Sequence, residues 1–218
     1  MNIKRLIEET VVTDWKNVLI ELLKPYEDTI NSKLANYDEA EIFPEKQLIF
    51  NCFNYFNINE LKCLIIGQDC YHTRGVANGL CFSHNFQKKN KIQPSLRNIF
   101  KEIQRTENVV RVNSDLSDWA KQGCLMLNMS LTVMEGKPNS HANIWFDYIH
   151  NVVKWIGANC NNVCVMLWGN FAQSTETYFN DTNTILKAGH PSPLNTKNPF
   201  IGCDHFNLCS KIHDIKWA

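Results

Sequence analysis

The stretch CLIIGQDCYHTRGVANGLCFS, at residues 63–83, decides the fold class of this 218-residue chain. Its first four residues form a short apolar run that predicts a buried strand, and Gly67 ends that strand. An amide, a carboxylate, a phenol and an imidazole then follow within five positions, from Gln68, Asp69, Tyr71 and His72. Because Asp-containing turns after strands are common, this stretch alone leaves an ordinary turn and an active-site loop equally open.

The length and composition predict one globular domain, spanning residues 1–218. The chain is slightly long for one average domain and short for two. Hydrophobic residues make up 44% of it, and twelve Phe and six Trp are available to fill a core.

Charge is balanced overall but not locally. Lys plus Arg and Asp plus Glu each number 22, so no global basicity indicates a nucleic-acid partner. Residues 84–111, however, contain seven basic and two acidic side chains. On charge alone, a solvated helix face with a loop is the favoured interpretation of this basic segment, and a DNA contact is the alternative.

The nine cysteines predict neither a metal site nor a disulfide framework. No Cys-x-x-Cys pair occurs, and the closest spacing, Cys160 to Cys164, ends inside an apolar run. Buried free thiols in a reducing compartment are expected. Residues 1–5 lack the apolar core of a signal peptide, and no run approaches the roughly 18 apolar residues of a membrane span. We therefore expect a soluble intracellular protein, in the nucleus or cytoplasm, with no membrane partner.

Strand and helix patterns alternate along the chain. Short apolar runs predict four strands, at 62–66, 124–127, 163–167 and 184–187. Apolar residues at helical spacing predict helices within 1–36 and at 47–56, 94–103, 144–156, 171–179 and 205–213. Thr13 and Ser95 are the predicted N-caps of two of them, and surface loops are predicted at 36–44 and 87–92. The alternation predicts an α/β fold: a single-domain, three-layer α/β/α arrangement with a central, mostly parallel four-stranded sheet.

In sheets of this kind a ligand binds beyond the carboxyl ends of the strands. Four segments follow the predicted strands at that edge, namely 67–69, Asn128, 168–170 and 190–194. A carboxylate, an amide and an imidazole would therefore converge on one cleft.

These segments, in this order, resemble family 1 uracil-DNA glycosylases. The water-activating motif of that family is similar to Gly67-Gln-Asp-Cys-Tyr-His72, which continues into Gly79-Leu-Cys-Phe-Ser83. Further segments resemble its backbone-compressing loop, its uracil-reading strand and its minor-groove loop, at 93–96, 127–133 and 190–194. Segments 139–141, 167–173 and 200–206 also resemble the family, so the likeness covers nearly the whole chain.

The resemblance implies a DNA repair enzyme that hydrolyses the N-glycosidic bond of uracil and needs no metal or other cofactor. Asp69 would orient the attacking water and face the cationic sugar, and His190 would donate a hydrogen bond to uracil O2. Asn128 would read uracil O4 and N3–H, with Gln68 in the same substrate pocket. Tyr71 would exclude the thymine methyl group and Phe82 would stack on the base. In isolation, a capping histidine and an ordinary core phenylalanine would be the favoured interpretations of His190 and Phe82.

The resemblance also implies contacts to uracil-containing single- and double-stranded DNA. Leu194 would fill the stack that a flipped base leaves, and Ser95 and Ser192 would contact phosphates. His72 would lie near the sugar-phosphate backbone. Asn170 and Asn195 stand where the family commonly has phosphate-contacting serines, so those contacts would be weaker or rearranged. A protein inhibitor or a replication protein is a further candidate partner, and the expected state is a monomer.

Cys70 departs from the family pattern, since it replaces the usual proline of the signature and restores a backbone N–H. Three other interpretations of the chain remain. It could be a catalytically weakened DNA-binding or processivity module, a glycosylase with another specificity, or an unrelated small-molecule hydrolase. Asp69, Asn128 and His190 together disfavour the first. Tyr71 and Asn128 disfavour the second, and an apolar Leu194 between proline and asparagine disfavours the third.

Overall fold

The structure is a computed structural model that describes residues 1–85 and 92–217. The strands are β1 (Ile42–Phe43), β2 (Cys63–Gly67), β3 (Cys124–Asn128), β4 (Val133–Met134), β5 (Cys164–Trp168) and β6 (Thr184–Ala188). The helices are α1 (Ile3–Thr10), α2 (Trp15–Leu23), α3 (Glu27–Leu34), α4 (Pro94–Glu107), α5 (Ser117–Ala120), α6 (Ala142–Asn159), α7 (Asn170–Gln173) and α8 (His205–His213). Short 3-10 helices lie at Glu39–Glu41, Lys46–Leu48, Asn51–Phe53, Ile58–Glu60 and Glu176–Tyr178.

A parallel sheet of four strands forms the centre of the fold, in the order β3-β2-β5-β6. Every residue of β2, β3 and β5 is buried, because helices cover both of their faces. The predicted α/β fold with a parallel four-stranded sheet is therefore confirmed. In the register of β2 and β3, Gly67 lies beside Asn128. The polar segments that follow these strands consequently leave the sheet at one edge.

Two groups of helices flank the sheet. One contains α4 and α8, which pack on each other, and α8 also contacts β5. Its Phe206 ring lies 5.9 Å from the ring of Trp168, at the end of β5. The other group contains α1, α2, α3 and α6.

The aromatic stretch at 47–56 is not the predicted helix. Its apolar positions Phe50, Cys52, Phe53 and Phe56 are buried as expected, but two 3-10 turns replace a continuous helix. Asn51 donates to the carbonyl of Asn78 at 2.8 Å, and Asn54 donates to the carbonyl of Thr10 at 2.9 Å. Such asparagine bonds to distant backbone compete with regular helix formation.

Both predicted N-caps are wrong. Thr13 Oγ1 donates to the carbonyl of Phe53 at 2.7 Å, and the N-cap position of α2 belongs to Asp14. The N-cap of α4 is Gln93, with Pro94 as the first helical residue, so Ser95 lies inside the first turn. Proline fits the first helical position because it has no N–H to satisfy there, so the N-cap is the residue before it, two positions earlier than the predicted cap.

Three other predicted segments, two loops and one helix, can be compared with the structure. The predicted loop at 36–44 contains β1, which pairs antiparallel with β4, a strand that sequence patterns did not indicate. The helix predicted at 171–179 is divided into α7 and the 3-10 turn Glu176–Tyr178. The predicted loop at 87–92 lies outside the described residues except for Ile92.

All nine cysteines are free thiols and eight of them are buried, as expected. Within residues 1–85 and 92–217, no three His, Cys, Asp or Glu side chains are grouped so that they could hold a metal ion. No helix in that part of the chain has the length and apolar character needed to cross a membrane.

Candidate active site

A cavity of about 690 Å³ opens at the carboxyl ends of β2 and β3. Ten of the twelve predicted site residues line it: Gln68, Asp69, Tyr71, His72, Phe82, Ser95, Asn128, His190, Ser192 and Leu194. These residues come from four separate segments of the sequence. The convergence expected from the parallel sheet is therefore present, whereas the chemical role of each residue stays a prediction.

The Asp69 carboxylate is held at the cavity wall by the backbone of a distant loop. Asn139 N–H donates to Asp69 Oδ2 at 2.6 Å, across 70 positions of sequence. Burial raises the pKa of Asp69 above its ordinary value of 3.8, while the Asn139 N–H and the charge of His72 act in the opposite direction. A half-buried carboxylate in this setting can accept a hydrogen bond from a water and face a developing positive charge.

Gln68 supports this carboxylate through Asn139. Its Nε2 donates to Asn139 Oδ1 at 3.2 Å, and Asn139 has a left-handed φ of 62°. Asparagine tolerates this conformation better than most residues. Gln68 lines the cavity as predicted, but its observed bond is to the residue that orients Asp69. Asn139 lay in a segment noted for its family likeness and was not predicted as a site residue.

Asn128 ends β3 and is almost fully buried, at 5% exposure. Its Nδ2 donates to Cys70 Sγ at 3.5 Å. A Cβ atom at the neighbouring Gly67 would overlap Asn128 Oδ1 and would lie 2.6 Å from the Cβ of Cys81. Glycine at position 67 is therefore required to give the amide of Asn128 its place in the cavity.

The geometry of His190 defines its tautomer. Ser192 N–H donates to His190 Nδ1 at 3.0 Å, so Nδ1 is an acceptor and the proton of the neutral ring is on Nε2. Burial lowers the pKa of His190 below its ordinary value of 6.5, which favours the neutral ring. A Cβ at Gly169 would lie 2.9 Å from the Cβ of His190, so glycine permits this close approach. A neutral Nε2–H can donate to an oxygen that gains negative charge.

Phe82 has an unusual backbone conformation for a large side chain, with a φ of 61°. Its ring lies 5.5 Å from the ring of Trp168 and 6.0 Å from that of His190, measured between centroids. Tyr71 Oη donates to the carbonyl of Phe82 at 2.9 Å, and this bond supports the strained residue. Burial raises the pKa of Tyr71, so the phenol keeps the proton that it donates.

Leu194 stands at the mouth of the cavity with 90% of its side chain exposed. Asn98 Nδ2 anchors its loop to α4 by donating to the carbonyl of Pro191 at 2.8 Å. Within the loop, Leu194 N–H donates to Ser192 Oγ at 3.2 Å. The loop therefore holds an exposed apolar side chain at the mouth of the cavity.

Asn170 and Asn195, which are predicted to contact DNA, do not line the cavity. Asn170 is exposed at the start of α7. Asn195 Nδ2 donates to the carbonyls of His190 and Asn198, at 3.1 and 2.6 Å. A phosphate contact by Asn195 would require one of these bonds to be released.

The basic segment at 84–111 is described only in part. Three of its four lysines, Lys88, Lys89 and Lys91, lie outside the described residues. Two of its arginines pair with acidic residues of the chain, namely Arg105 with Glu102 at 2.8 Å and Arg111 with Asp118 at 2.6 Å. These two guanidinium groups are consequently engaged in holding the fold.

Comparison with known proteins identifies the family. The model of the uracil DNA glycosylase superfamily matches residues 53–211. A uracil-DNA glycosylase of Borrelia duttonii (strain Ly) is 42% identical over 208 residues, covering 92% of each chain. One from Borreliella burgdorferi (strain ZS7) is 46% identical over 171 residues, covering 77% of this chain and 76% of the relative.

Solved structures show the same fold at lower identity. The mimivirus uracil-DNA glycosylase superimposes with a TM-score of 0.85 at 21% identity, covering 94% of this chain and 84% of that one. A mimivirus UNG variant in complex with UGI gives a TM-score of 0.86 at 22% identity, with coverages of 97% and 86%. The family model and the curated relatives each span most of the sequence. This chain therefore belongs to the uracil-DNA glycosylase superfamily.

Proposed function

We propose that this chain releases uracil from DNA by hydrolysing the bond between the base and deoxyribose, leaving an abasic site for repair. The observation that supports this most strongly is the arrangement of one cavity. Asp69, Asn128 and His190 come from three different strand ends and line the same space. A carboxylate, a selective amide and a neutral imidazole are the groups that this reaction needs.

The reaction develops charge of opposite sign on its two sides. As the glycosidic bond breaks, the sugar gains positive charge and the departing base gains negative charge. Asp69 stabilises the sugar cation through its carboxylate and orients the water that attacks the sugar carbon. His190 stabilises the other side, since its Nε2–H donates to uracil O2 while charge accumulates there. Both groups act more strongly in the transition state than in the ground state, as catalysis requires.

Asn128 selects uracil over cytosine. Its amide pairs with uracil O4 and N3–H at once, whereas cytosine has a donor in place of O4 and lacks the N3 proton. Cytosine would thus leave buried polar groups unpaired. Sites built on such hydrogen bonds reject the wrong substrate by factors of roughly 10⁴ to 10⁵.

Tyr71 and Phe82 shape the rest of the base pocket. Thymine differs from uracil by a C5 methyl group, and Tyr71 would reject it by contact at that edge. Phe82 would stack on the base, with Trp168 behind its ring at 5.5 Å. The hydrogen bond from Tyr71 Oη to the carbonyl of Phe82 fixes the position of the phenol relative to Phe82.

DNA binding would present the base to the cavity in a flipped conformation, because the glycosidic bond is inaccessible in a stacked duplex. Leu194 would occupy the space left in the stack, and Ser95 and Ser192 would donate to phosphates on either side. His72 would lie near the sugar-phosphate. Single-stranded DNA would be a substrate too, since its bases are already accessible. An intracellular location, in the nucleus or cytoplasm, follows from such a substrate.

A protein inhibitor is a further proposed partner. The mimivirus UNG variants with this fold are in complex with UGI. An inhibitor that covered the mouth of the cavity in this chain would bury Leu194 there, which is 90% exposed in the free protein.

The function is tested with oligonucleotides that differ at one base. Strands containing uracil, cytosine or thymine are incubated with the protein in EDTA and then treated with alkali, which cleaves abasic sites. We expect cleavage of the uracil strand alone, in both single- and double-stranded form. An intact uracil strand would refute the proposed enzyme activity, and cleavage of the thymine strand would refute the role of Tyr71.

A further inference from the structure

Cys70 is a polar group of the cavity wall to which the reaction above assigns no role. It lies between Asp69 and Tyr71, is only 6% exposed, and lines the cavity. Proline, which the resemblance leads one to expect there, has no side-chain donor or acceptor. A thiol can therefore make contacts at this position that a proline cannot.

The thiol forms hydrogen bonds in two directions. Cys70 Sγ donates to the carbonyl of Leu131 at 3.2 Å, and the carbonyl of Ser130 lies further away at 3.6 Å. Asn128 Nδ2 donates to the same sulfur at 3.5 Å. The thiol proton is thus directed at the backbone, and the sulfur lone pairs are available to the amide. Burial raises the pKa of Cys70 to about 12, so the thiol keeps its proton at neutral pH.

The amide of Asn128 could be placed in two orientations that read different bases. In one orientation, Oδ1 accepts from uracil N3–H and an Nδ2–H donates to uracil O4. Rotation by half a turn exchanges the oxygen and the NH2 group, and the exchanged order matches the N4–H donor and N3 acceptor of cytosine. Among residues 1–85 and 92–217, Cys70 Sγ is the one hydrogen-bond partner of this side chain. A group that holds the amide in one orientation also decides which base is accepted.

We propose that Cys70 is a positioning residue that sets base specificity: its sulfur accepts one Nδ2–H of Asn128 and holds the amide in the order that pairs with uracil. The second Nδ2–H and Oδ1 then remain for the base. In the exchanged order, Oδ1 would face a sulfur whose proton is engaged with Leu131. Either two acceptors would meet, or the buried carbonyl of Leu131 would lose its donor, and both outcomes are unfavourable. This inference rests on the proposed function.

The test compares excision rates in single-turnover reactions on matched strands that contain uracil or cytosine. Cys70→Ala removes the acceptor, and we expect uracil excision to fall about fivefold to tenfold, as for the loss of one modest hydrogen bond. The ratio of uracil to cytosine excision should fall by at least as much. Cys70→Ser should restore most of the rate and ratio, since a hydroxyl also accepts and donates. Cys160→Ala is the matched control, because Cys160 is likewise 6% exposed but lies outside the cavity.

A double variant separates positioning from a general loosening of the fold. In an Asn128→Ala background there is no amide to hold, so adding Cys70→Ala should leave the residual excision rate unchanged. Cys70→Pro also lacks the acceptor and takes the place of Cys70→Ala if that variant does not fold. The proposal is overturned by wild-type rate and ratio in Cys70→Ala, by no restoration in Cys70→Ser, or by an equal loss in the Asn128→Ala background. A wild-type protein that fails to excise uracil would instead refute the proposed function.

Discussion

Leu194 offers a quantitative test of base flipping. Its side chain is 90% exposed in the free protein, on a loop that is tied to α4 by the bond from Asn98 to the carbonyl of Pro191. Replacing it with alanine removes no packing from the folded chain. The free energy of unfolding should therefore change by less than about 0.5 kcal/mol.

The effect on catalysis follows from the apolar surface that a DNA duplex would bury. Leu194→Ala removes three carbon atoms, each worth about 0.8 kcal/mol when it leaves water. Full burial in the vacated stack would thus contribute about 2.4 kcal/mol, which corresponds to a loss of roughly 50-fold in kcat/KM. This is an upper bound, since a partly filled stack buries less. A single strand has no stack to fill, and its kcat/KM should change less than about threefold by the same reasoning.

The assay measures kcat/KM on one uracil-containing oligonucleotide, free and annealed to its complement. Val12→Ala is the control, since Val12 is 79% exposed and lies outside the cavity. The reasoning is refuted if Leu194→Ala leaves duplex activity unchanged, or if it lowers activity equally on both substrates. Equal losses would assign Leu194 to holding the loop and not to the duplex.

Three further predictions concern the cavity itself. Burial raises the pKa of Asp69 above 3.8 and lowers that of His190 below 6.5. We therefore expect kcat/KM to be lost as pH falls through the Asp69 pKa, with no separate loss near 6.5 from protonation of His190. A loss of kcat/KM near pH 6.5 that is still present in an Asp69 variant would contradict this. His190→Ala should lower kcat by roughly 10²- to 10³-fold, the usual effect of deleting one oxyanion donor, and a variant within about tenfold of wild type would remove His190 from the mechanism. Gly67→Ala should lower both the melting temperature and kcat/KM, because the alanine Cβ would overlap Asn128 Oδ1 and approach Cys81. A wild-type melting temperature and kcat/KM in this variant would show that the space beside Asn128 is not needed.

Most of the sheet could be predicted because β2, β3 and β5 are short apolar runs with a glycine or asparagine at or next to the end of each strand. The carboxyl-end rule for parallel sheets then placed Asp69, Asn128 and His190 near one another without any coordinates. Local patterns failed where distant groups determine the structure. The stretch 47–56 has helical spacing, yet Asn51 and Asn54 bond to backbone 27 and 44 positions away. Such competition is not visible in a local window.

The finer geometry of the site also depends on contacts between distant segments. Asn139 holds Asp69 from 70 positions away, and Cys70 bonds Asn128 from 58 positions away. The resemblance drew attention to both segments but could not assign these bonds. The tautomer of His190 likewise depends on one backbone N–H, that of Ser192, whose direction only a three-dimensional structure shows.

Asp69→Asn is the measurement that tests most directly whether this cavity cuts uracil from DNA. The change removes the negative charge but keeps the shape and an acceptor for the Asn139 N–H, which lies 2.6 Å from Oδ2. Excision of uracil in EDTA should fall by roughly 10²- to 10⁴-fold, the range for a lost general acid–base group, while affinity for the same oligonucleotide stays within about threefold. Wild-type excision by Asp69→Asn would contradict the account.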